Sequence, residues 1–492
     1  MSEAREHAVS ANHWAVVGGG MLGLALAYRL SQHGQRVTLL EAAPQLGGLT
    51  GSWCLATGDG RAAEWDRYYH VTLLSDTTLR GLLEEIGLAD DMRWVETKTG
   101  FYSGGELFSM SNSLEFLRFP PLSLVEKFRL GGTIFYASRI KDWRPLEKIP
   151  VADWLRKHSG EGVFNKIWLP LLKAKLGEAY KETSAAFIWA HINRMYAARR
   201  SGLKKEMFGY VRGGYARILR RMEEVLRERG VEIMTSAPVH EAVATLEGGV
   251  RVRAGEHPTK HFDRVAFTVP SPIIANACPG LVPEETRRHQ GIKYLGIVCG
   301  SLLLEKPISP YYVTNITDTW VPLTAVIEMT TIVHPDELGG RSLVYLPKYV
   351  VSDDPLFDES DESLRERWVG TLEKMYPHFS RDQVAAFQVS RARHVMALPT
   401  LDYSSRLPPM KTSVPGVYAI NSAHILKGNL NVNETIQVAD EAIATVLRDE
   451  LAGGDEATID SSADQTVVAP AAPRPTQPAD DDQADRELIA RS

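Results

Sequence analysis

The feature that most constrains this 492-residue chain is a glycine triplet between an apolar run and an amphipathic helix pattern. The run from Trp14 to Val17 has the length of a buried parallel strand. Gly18, Gly20 and Gly23 follow in the spacing G-x-G-x-x-G. In such a unit the first glycine allows a tight turn, the second admits a pyrophosphate, and the third lets helix and strand pack closely. Free N–H groups at the helix N-terminus hold the phosphate, so the predicted site includes the backbone of Met21.

A carboxylate follows at the position where the ribose of a dinucleotide is expected. Val37 to Leu40 reads as a second strand, and Glu41 comes directly after it, 23 positions beyond Gly18 (41 − 18). This spacing suits a carboxylate that accepts hydrogen bonds from ribose hydroxyls. A lone triplet is compatible with a purely steric turn. Strand, triplet, helix, strand and acid in register predict dinucleotide binding instead.

The segment after Glu41 reads EAAPQLGGLT and contains a second glycine pair, Gly47 and Gly48. It resembles the extended flavin fingerprint of the flavin-containing amine oxidase superfamily, which includes protoporphyrinogen oxidases, phytoene-type desaturases and, more distantly, UDP-galactopyranose mutase. The resemblance implies that FAD is the cofactor and that the glycine pair passes close to its phosphates. It also implies cofactor contacts at Ala42 and Leu49. Most members of the superfamily carry arginine where this chain has Leu49.

Two later segments resemble the parts of the superfamily that complete its FAD-binding domain. Residues 210–239 read as a glycine pair, a helix and a strand, and the resemblance places the backbone of Val239 at the adenine end. Residues 416–444 resemble the closing motif, in which a helix N-terminus faces the flavin and stabilises negative charge on its reduced form.

In that closing motif Asn421 and Ser422 stand where the family usually has Gly-Asp. Both keep hydrogen-bonding atoms for ribityl or phosphate oxygens, although the charge is lost. Asn433 lies at the start of the last helix, where asparagine is a favoured residue type. We therefore include these three residues in the predicted cofactor site.

The predicted fold class is α/β, with a Rossmann-like FAD-binding domain assembled from separated segments. Those segments are residues 12–75, 205–270 and 390–451. The substrate domain, of α+β character, is predicted from the two insertions, 76–204 and 271–389. Alternating β-type sequence from Tyr294 to Val350 predicts an antiparallel sheet in the second insertion, and helical patterns dominate the first.

The formal charge of −6 falls in the last 41 residues, where nine acids meet three arginines (−9 + 3 = −6). Residues 452–492 are rich in Ala, Pro and Asp and predict a disordered acidic tail. The remaining body is near neutral, which argues against a nucleic-acid partner. Three scattered cysteines predict buried free thiols rather than a metal or redox site. With a polar N-terminus and no apolar run of about 18 residues, we expect a cytoplasmic protein. The sequence does not predict its oligomeric state.

A second possibility for localisation comes from residues 113–143, where apolar and aromatic residues alternate with basic ones. An amphipathic, basic stretch of this kind suits peripheral contact with the cytoplasmic face of a membrane. It equally suits a roof over a substrate cavity. Lys173 and Lys175, further along, leave two interpretations open as well: a solvated helix face, or neutralisation of a phosphate on the substrate.

Candidate catalytic residues lie in two places. The run EWDRYYH, from Glu64 to His70, resembles the segment that passes near the flavin in desaturase-like members, and His70 is a candidate proton carrier. A packed strand end is the alternative interpretation. Asn315, Glu328 and Tyr345 are polar residues within apolar strands. A buried carboxylate needs a partner or a wet surface, so these three predict either a lined substrate cavity or a solvated outer face of the sheet.

Together these features predict an FAD-dependent oxidoreductase that removes a hydride from a small organic or lipid-like substrate. The flavin carries the chemistry, and no metal cluster is expected. Two alternatives remain open from the sequence. One is a non-redox flavoenzyme that resembles UDP-galactopyranose mutase and acts on a nucleotide sugar. The other is a non-catalytic flavin-binding protein.

Overall fold

The computed structural model describes residues 11–57, 60, 62–197, 206–426 and 430–451. The predicted tail at 452–492 lies outside the described residues. No helix within the described part of the chain is long and apolar enough to cross a bilayer.

A five-stranded parallel sheet carries the glycine-rich segment. Its strands in spatial order are Glu232–Met234, Arg36–Leu40, His13–Val17, Arg264–Phe267 and Val417–Ala419. Parallel sheets are stable when both faces are covered. One face packs on the helices Met21–Gln32, Gly214–Glu228 and Val432–Ala444. The other packs on an antiparallel sheet of Val239–Ala244, Val250–Ala254 and Lys260–Phe262, and on helix Ser271–Ala277.

A seven-stranded mixed sheet forms the second layer system, which we call the floor sheet. Its strands in spatial order are Val384–Ala397, Tyr294–Leu304, Ser342–Val351, Ala325–Glu328, Val313–Ile316, Thr99–Ser103 and Glu106–Ser109. The antiparallel pairing predicted for residues 294–350 is confirmed. The first insertion also contributes, because Thr99–Ser103 pairs in parallel with Val313–Ile316. Strand Val384–Ala397 stays in this sheet past position 390, where the sequence predicted a return to the FAD-binding domain.

Helices from the first insertion cover one face of the floor sheet, which we call its inner face. They are Ser113–Arg118, Leu124–Arg139, Val151–Ser159, Glu161–Val163, Leu169–Leu176 and Ala185–Ala197. Helix Leu124–Arg139 begins at a capping box in which Ser123 and Glu126 bond reciprocally to each other's backbone N–H groups. Helix Asp361–Met375 packs its Trp368 on the opposite face.

Smaller elements connect these layers. They are the hairpin Ser52–Ala56 and Ala62–Asp66, the three-stranded sheet of Thr72–Leu73, Met207–Val211 and Met92–Glu96, and the helices Thr77–Glu85, Pro283–Gln290, Tyr403–Arg406 and Arg448–Leu451. The fold class is α/β, as predicted from the sequence. One detail of the cysteine prediction is wrong, because Cys54 is exposed while Cys278 and Cys299 are buried.

Candidate functional site

The three glycines of the triplet are required for different reasons. Gly18 has φ +111°, a conformation that favours glycine. A Cβ atom at Gly23 would stand 1.8 Å from the Gly18 carbonyl oxygen, so helix and strand pack too closely for a side chain there. A Cβ at Gly20 would meet no protein atom closer than the Gly47 oxygen at 4.0 Å. The protein itself therefore does not exclude a side chain at Gly20, but a phosphate on the N-terminus of helix Met21–Gln32 would.

The second glycine pair lies directly against this cradle. Gly20 and Gly47 form a parallel bridge, and the Gly47 N–H donates to the Gly19 oxygen at 2.8 Å. A Cβ at Gly48 would approach the Gly20 Cα to 3.3 Å. The two glycine motifs, 27 residues apart (47 − 20), thus frame one open space. The Leu49 side chain packs on the apolar core of the inner face instead of standing free at the cradle.

Glu41 lies at the carboxyl end of its strand, beside the cradle. One carboxylate oxygen accepts from the Gly19 N–H at 2.5 Å and the other from the Ala43 N–H at 2.8 Å. The chain that leads to Val239 runs past the same edge, because the Ala237 N–H donates to the Glu41 carbonyl at 2.8 Å. Ala42 is exposed there. This edge is where open α/β sheets bind dinucleotides.

The closing turn corrects one prediction. The Asn421 side chain is fully buried; its Oδ1 accepts from the Ala423 N–H at 3.0 Å, and its Nδ2 donates to the Val269 oxygen and Ser271 Oγ, both at 3.1 Å. Its polar atoms are satisfied by the protein, so the predicted side-chain contact with a cofactor is wrong. Asn421 shapes the turn that presents Ser422.

Asn433 has a similar structural contact. Its Oδ1 accepts from the Leu79 N–H at 3.0 Å and ties helix Val432–Ala444 to helix Thr77–Glu85. Its backbone lies in the first turn of the closing helix, where N–H groups have no intrahelical partner. The cap of that helix is Asn431, which accepts from the Glu434 N–H at 3.1 Å.

A pocket of about 460 Å³ of empty space, including its mouth, opens beside this turn. Ser422 and Leu426 line it on one side, Ala186 and Ala190 on another, and Met396 on a third. Its walls are mostly apolar.

His70 lies on a second pocket, between residues of the hairpin and the N-terminus of helix Gly214–Glu228. Its Nδ1 is 3.6 Å from Asp66 Oδ2, and its ring centroid is 4.9 Å from that of Tyr215. Asp66 also accepts from the Tyr215 N–H at 2.9 Å. Burial raises the pKa of the Asp66 carboxyl. The pair forms a carboxylate–imidazole arrangement able to hold and move a proton.

Tyr345 is joined to the same segment. Its hydroxyl is fully buried and donates to the Asp66 carbonyl oxygen at 2.6 Å. Burial raises its pKa well above the ordinary value of 10.0. The sequence predicted that Tyr345 positions substrate; in the structure its proton is held by a backbone oxygen, so Tyr345 positions the segment of His70.

Glu328 is not in the cavity, and its predicted role as a substrate-positioning residue is wrong. The side chain has no accessible surface; its carboxylate accepts from the Ile308 N–H at 3.0 Å, from Ser342 Oγ at 2.5 Å and from the Thr330 hydroxyl. Burial raises the pKa of this carboxyl. The sequence left two options for the Glu328 carboxylate, a hydrogen-bonding partner or a solvated face, and the structure shows buried partners.

Asn315 occupies a marginal position. It is half-buried, on the same sheet face as Tyr345 but two strands away, and its Nδ2 lies 3.5 Å from the Gly100 oxygen. The structure does not bring it to Asp66 and His70.

The inner face carries a polar cluster that the sequence showed only in part. Tyr69 and Tyr349 share a hydrogen bond of 3.1 Å between their hydroxyls, and Lys175 Nζ lies 3.1 Å from the centroid of the Tyr349 ring. Burial raises the pKa of both tyrosines and lowers that of Lys175 to about 7. Tyr69 and Lys175 stand out in local sequence patterns. Tyr349 does not, since its partners are 280 and 174 positions away (349 − 69, 349 − 175).

Further polar atoms on this face have no partner among the described residues. They include Ser301 Oγ and Gln388 Oε1, which lie on paired positions of neighbouring strands, and the Tyr312 hydroxyl. Buried polar atoms normally have partners. These three atoms are fully enclosed by protein, so they do not mark a ligand site. The open glycine cradle is the part of the structure that fits the phosphates of FAD.

Comparison with known proteins agrees with this geometry. The family model described as flavin containing amine oxidoreductase matches residues 22–429. The zeta-carotene desaturase of Synechocystis sp. is 27% identical over 301 residues, which are 56% of this chain and 60% of that protein. The probable zeta-carotene desaturase of Synechococcus elongatus is 27% identical over 285 residues, 50% of this chain and 58% of that one. The chain therefore spans about three fifths of the length of these curated relatives.

Solved structures share the fold across nearly the whole chain. A putative protoporphyrinogen oxidase from Exiguobacterium sp. superposes with a TM-score of 0.68 at 20% identity, covering 89% of this chain and 99% of its own. Putrescine oxidase bound to putrescine gives a TM-score of 0.66, also at 20% identity and with the same coverage of both chains. With the family match across more than half of its length, the chain belongs to the family described as flavin containing amine oxidoreductase.

Proposed function

We propose that this protein removes a hydride from a C–H or C–N bond of a small organic or lipid-like substrate. The observation that carries the proposal is the open glycine cradle, together with the Asp66–His70 pair that lines a pocket in the segment following the flavin fingerprint. FAD, when bound, supplies the hydride acceptor. The chain supplies binding, orientation and proton transfer.

Its own residues divide these tasks. The N-terminus of helix Met21–Gln32 and the glycine cradle hold the phosphates. Apolar walls exclude water from the reacting bond. When a hydride leaves with its electron pair, the substrate becomes positively charged unless a proton leaves too. We assign the uptake of that proton to His70, whose Nδ1 lies 3.6 Å from Asp66 Oδ2.

The names of the relatives support an oxidation, since they are described as a desaturase and as oxidases. No feature of the described residues favours the mutase-like or non-catalytic alternative over it. The experiment therefore has to separate all three.

The purified protein is examined by absorbance spectroscopy, and the cofactor released on denaturation is identified by mass. Anaerobic bleaching of the flavin is then followed with an amine, a polyene, a porphyrinogen and an organic acid. Released FAD that one of these substrates bleaches supports the proposal. A colourless protein that FAD does not reconstitute overturns it. Turnover of a nucleotide sugar by prereduced enzyme without an acceptor establishes the mutase-like alternative, and FAD that neither dithionite nor oxygen converts establishes the non-catalytic one.

A further inference from the structure

Lys175 is a cation on the inner face of the floor sheet without an acidic partner. Its Nζ lies over the Tyr349 ring, 3.1 Å from the centroid, and within the described part of the chain no carboxylate pairs with it. The neighbouring Lys173, two positions earlier on the same helix, is exposed. The two lysines that the sequence could not tell apart therefore have different environments.

The side chains around Lys175 keep accessible surface. Lys175, Tyr69 and Tyr349 are each half-buried. A ligand can therefore contact this cluster of one cation and two hydroxyl groups.

Three buried acids of the fold are engaged with other groups. Asp76 pairs with Arg194 at 3.1 Å, and Asp66 interacts with His70 and the Tyr215 N–H. Glu147, near the first pocket, accepts from the Ser404 N–H and hydroxyl. Among the residues that the structure describes, Lys175 therefore has no counterion. A desolvated ammonium is stabilised when a bound anion provides one.

We propose that Lys175 is the receptor for an anionic group of the substrate, so that the enzyme acts on organic acids or phosphate esters and discriminates against cationic amines. This inference rests on the proposed function, because it concerns the substrate of the same site. The Tyr349 ring holds the ammonium by a cation–π contact, and the Tyr69 hydroxyl fixes the Tyr349 ring through their shared hydrogen bond. An ammonium substrate would meet a like charge there.

The test uses three probes of equal chain length, octanoate, octyl phosphate and octylamine, with the FAD-loaded protein. Binding is measured from the change in the flavin absorbance spectrum. We expect an anionic probe to bind and octylamine not to bind. Lys175→Met should weaken the anion at least about tenfold, Lys175→Arg should retain it in part, and Lys173→Met, the matched control, should behave as the wild type. A preference for octyl phosphate over octanoate identifies the phosphate ester as the natural class.

Octylamine binding as tightly as octanoate, or an unchanged dissociation constant in Lys175→Met, overturns the proposal. A second measurement separates it from the proposed function. Reductive methylation with ¹³C-formaldehyde labels the lysines, and Lys175→Met assigns the Lys175 resonance. An anionic probe should raise the titration midpoint of that resonance even in protein that holds no FAD. A resonance that neither anion moves refutes the role of Lys175, whereas failure to hold FAD refutes only the proposed function.

A second, independent observation concerns helix Leu124–Arg139, which has two apolar faces. Leu130 and Ala137 are buried on one. The other carries Leu124, Val125, Phe128 and Phe135, of which Phe128 is 74% exposed. These positions recur at helical spacing and form one continuous stripe. Leu114 and Leu117 on helix Ser113–Arg118 are exposed as well. We call these six residues the apolar stripe.

Basic residues flank the apolar stripe. Arg118, Arg129, Arg139 and Lys141 are exposed, whereas the acids Glu115 and Glu126 are bound to Ser109 and Ser111, and to Lys166 and the Ser123 N–H. An apolar face with a basic rim matches an anionic lipid surface. We infer that the apolar stripe seats the protein on an anionic bilayer.

Sedimentation with vesicles tests this inference. We expect the protein to bind vesicles of phosphatidylcholine with phosphatidylglycerol more strongly than vesicles of phosphatidylcholine alone. The double variant Phe128→Ser, Phe135→Ser should lose that binding, while Leu246→Ser should not, because Leu246 is fully exposed on a different loop. Equal binding by the double variant overturns the inference. So does a wild-type dimer in solution that the double variant converts to monomer, because the stripe then belongs to a second copy.

Discussion

Replacing Gly20 and Gly23 by alanine, one at a time, separates binding of the cofactor from folding of the protein. Both glycines belong to the same motif, but a Cβ at Gly23 would stand 1.8 Å from a backbone oxygen, whereas one at Gly20 has 4.0 Å of clearance. The backbone at Gly20 has φ −76° and ψ 175°, a conformation open to alanine. Gly20→Ala should therefore fold normally and bind FAD poorly, and Gly23→Ala should be destabilised with or without FAD.

The magnitudes follow from these contacts. At Gly20, loss of a favoured N-cap glycine costs a few tenths of a kcal/mol or more, and the smaller entropy of the unfolded chain offsets about 0.4–1 kcal/mol. The stability of the FAD-free protein should hence change by less than about 1 kcal/mol. A methyl group in the space of a bound phosphate costs about 1–3 kcal/mol, which corresponds to about 5- to 150-fold in the dissociation constant of FAD. At Gly23 the overlap involves backbone that cannot rotate away, so the FAD-free protein should lose about 3 kcal/mol or more.

The assay combines urea unfolding of the FAD-free proteins with titration of FAD, followed by flavin fluorescence quenching. Wild-type affinity in Gly20→Ala would refute the assignment of the open space to a phosphate. Equal stability of the two FAD-free variants would refute the steric distinction between the glycines. Excess FAD should raise the melting temperature of the wild type and, at the same concentration, raise that of Gly20→Ala by less.

Three further predictions concern buried polar residues, each measured by chemical unfolding across pH. Burial raises the folded-state pKa of Glu328 above its ordinary value of 4.5. The stability that this group contributes is therefore present at low pH and is lost as pH rises through the folded-state pKa. Glu328→Gln should remove that loss, and identical pH profiles of the two proteins would contradict the assignment. Both ring nitrogens of His289 are buried without a partner among the described residues, and burial lowers its pKa from 6.5 to about 4. The wild type should therefore lose about 3 kcal/mol of folding stability between pH 6.5 and pH 4, and His289→Leu should lose less. An equally large loss in the variant would contradict this explanation. Asn421→Ala should cost about 2–4 kcal/mol, since it removes a cap and leaves two buried groups unpaired, whereas Asn421→Ser, which keeps a capping oxygen, should cost less, and equal costs would mean that the cap contributes nothing.

The predictions from sequence were most successful where local structure depends on consecutive residues. The turn at Gly18, Gly20 and Gly23 and the position of Glu41 at the end of its strand could be predicted because each depends on its own backbone or on one neighbouring strand. The strands of residues 294–350 were predicted because alternation along a strand reflects two faces with different surroundings. The same alternation does not say which face of the sheet meets the cavity, so the prediction that Glu328 positions substrate was wrong.

Polar residue types alone did not reveal their partners either. Asn421 has the atoms for a cofactor contact, but its Nδ2 donates to Val269 and Ser271, which lie 152 and 150 positions away in the chain. The sequence left Lys173 and Lys175 equivalent, and only the packing of their helix against the strand of Tyr349 separates them.

The sequence by itself determined the fold class, the family and the flavin cofactor, and it predicted the edge of the sheet at which the phosphates bind. These depend on local backbone conformation, which a few glycines and one acid dictate over short distances. The tertiary structure decided which polar side chains remain accessible to a ligand and which form hydrogen bonds within the protein. That distinction arises from burial and from partners far apart in the chain, because a side chain acts on a ligand only where the protein leaves its hydrogen-bonding atoms or its charge unsatisfied.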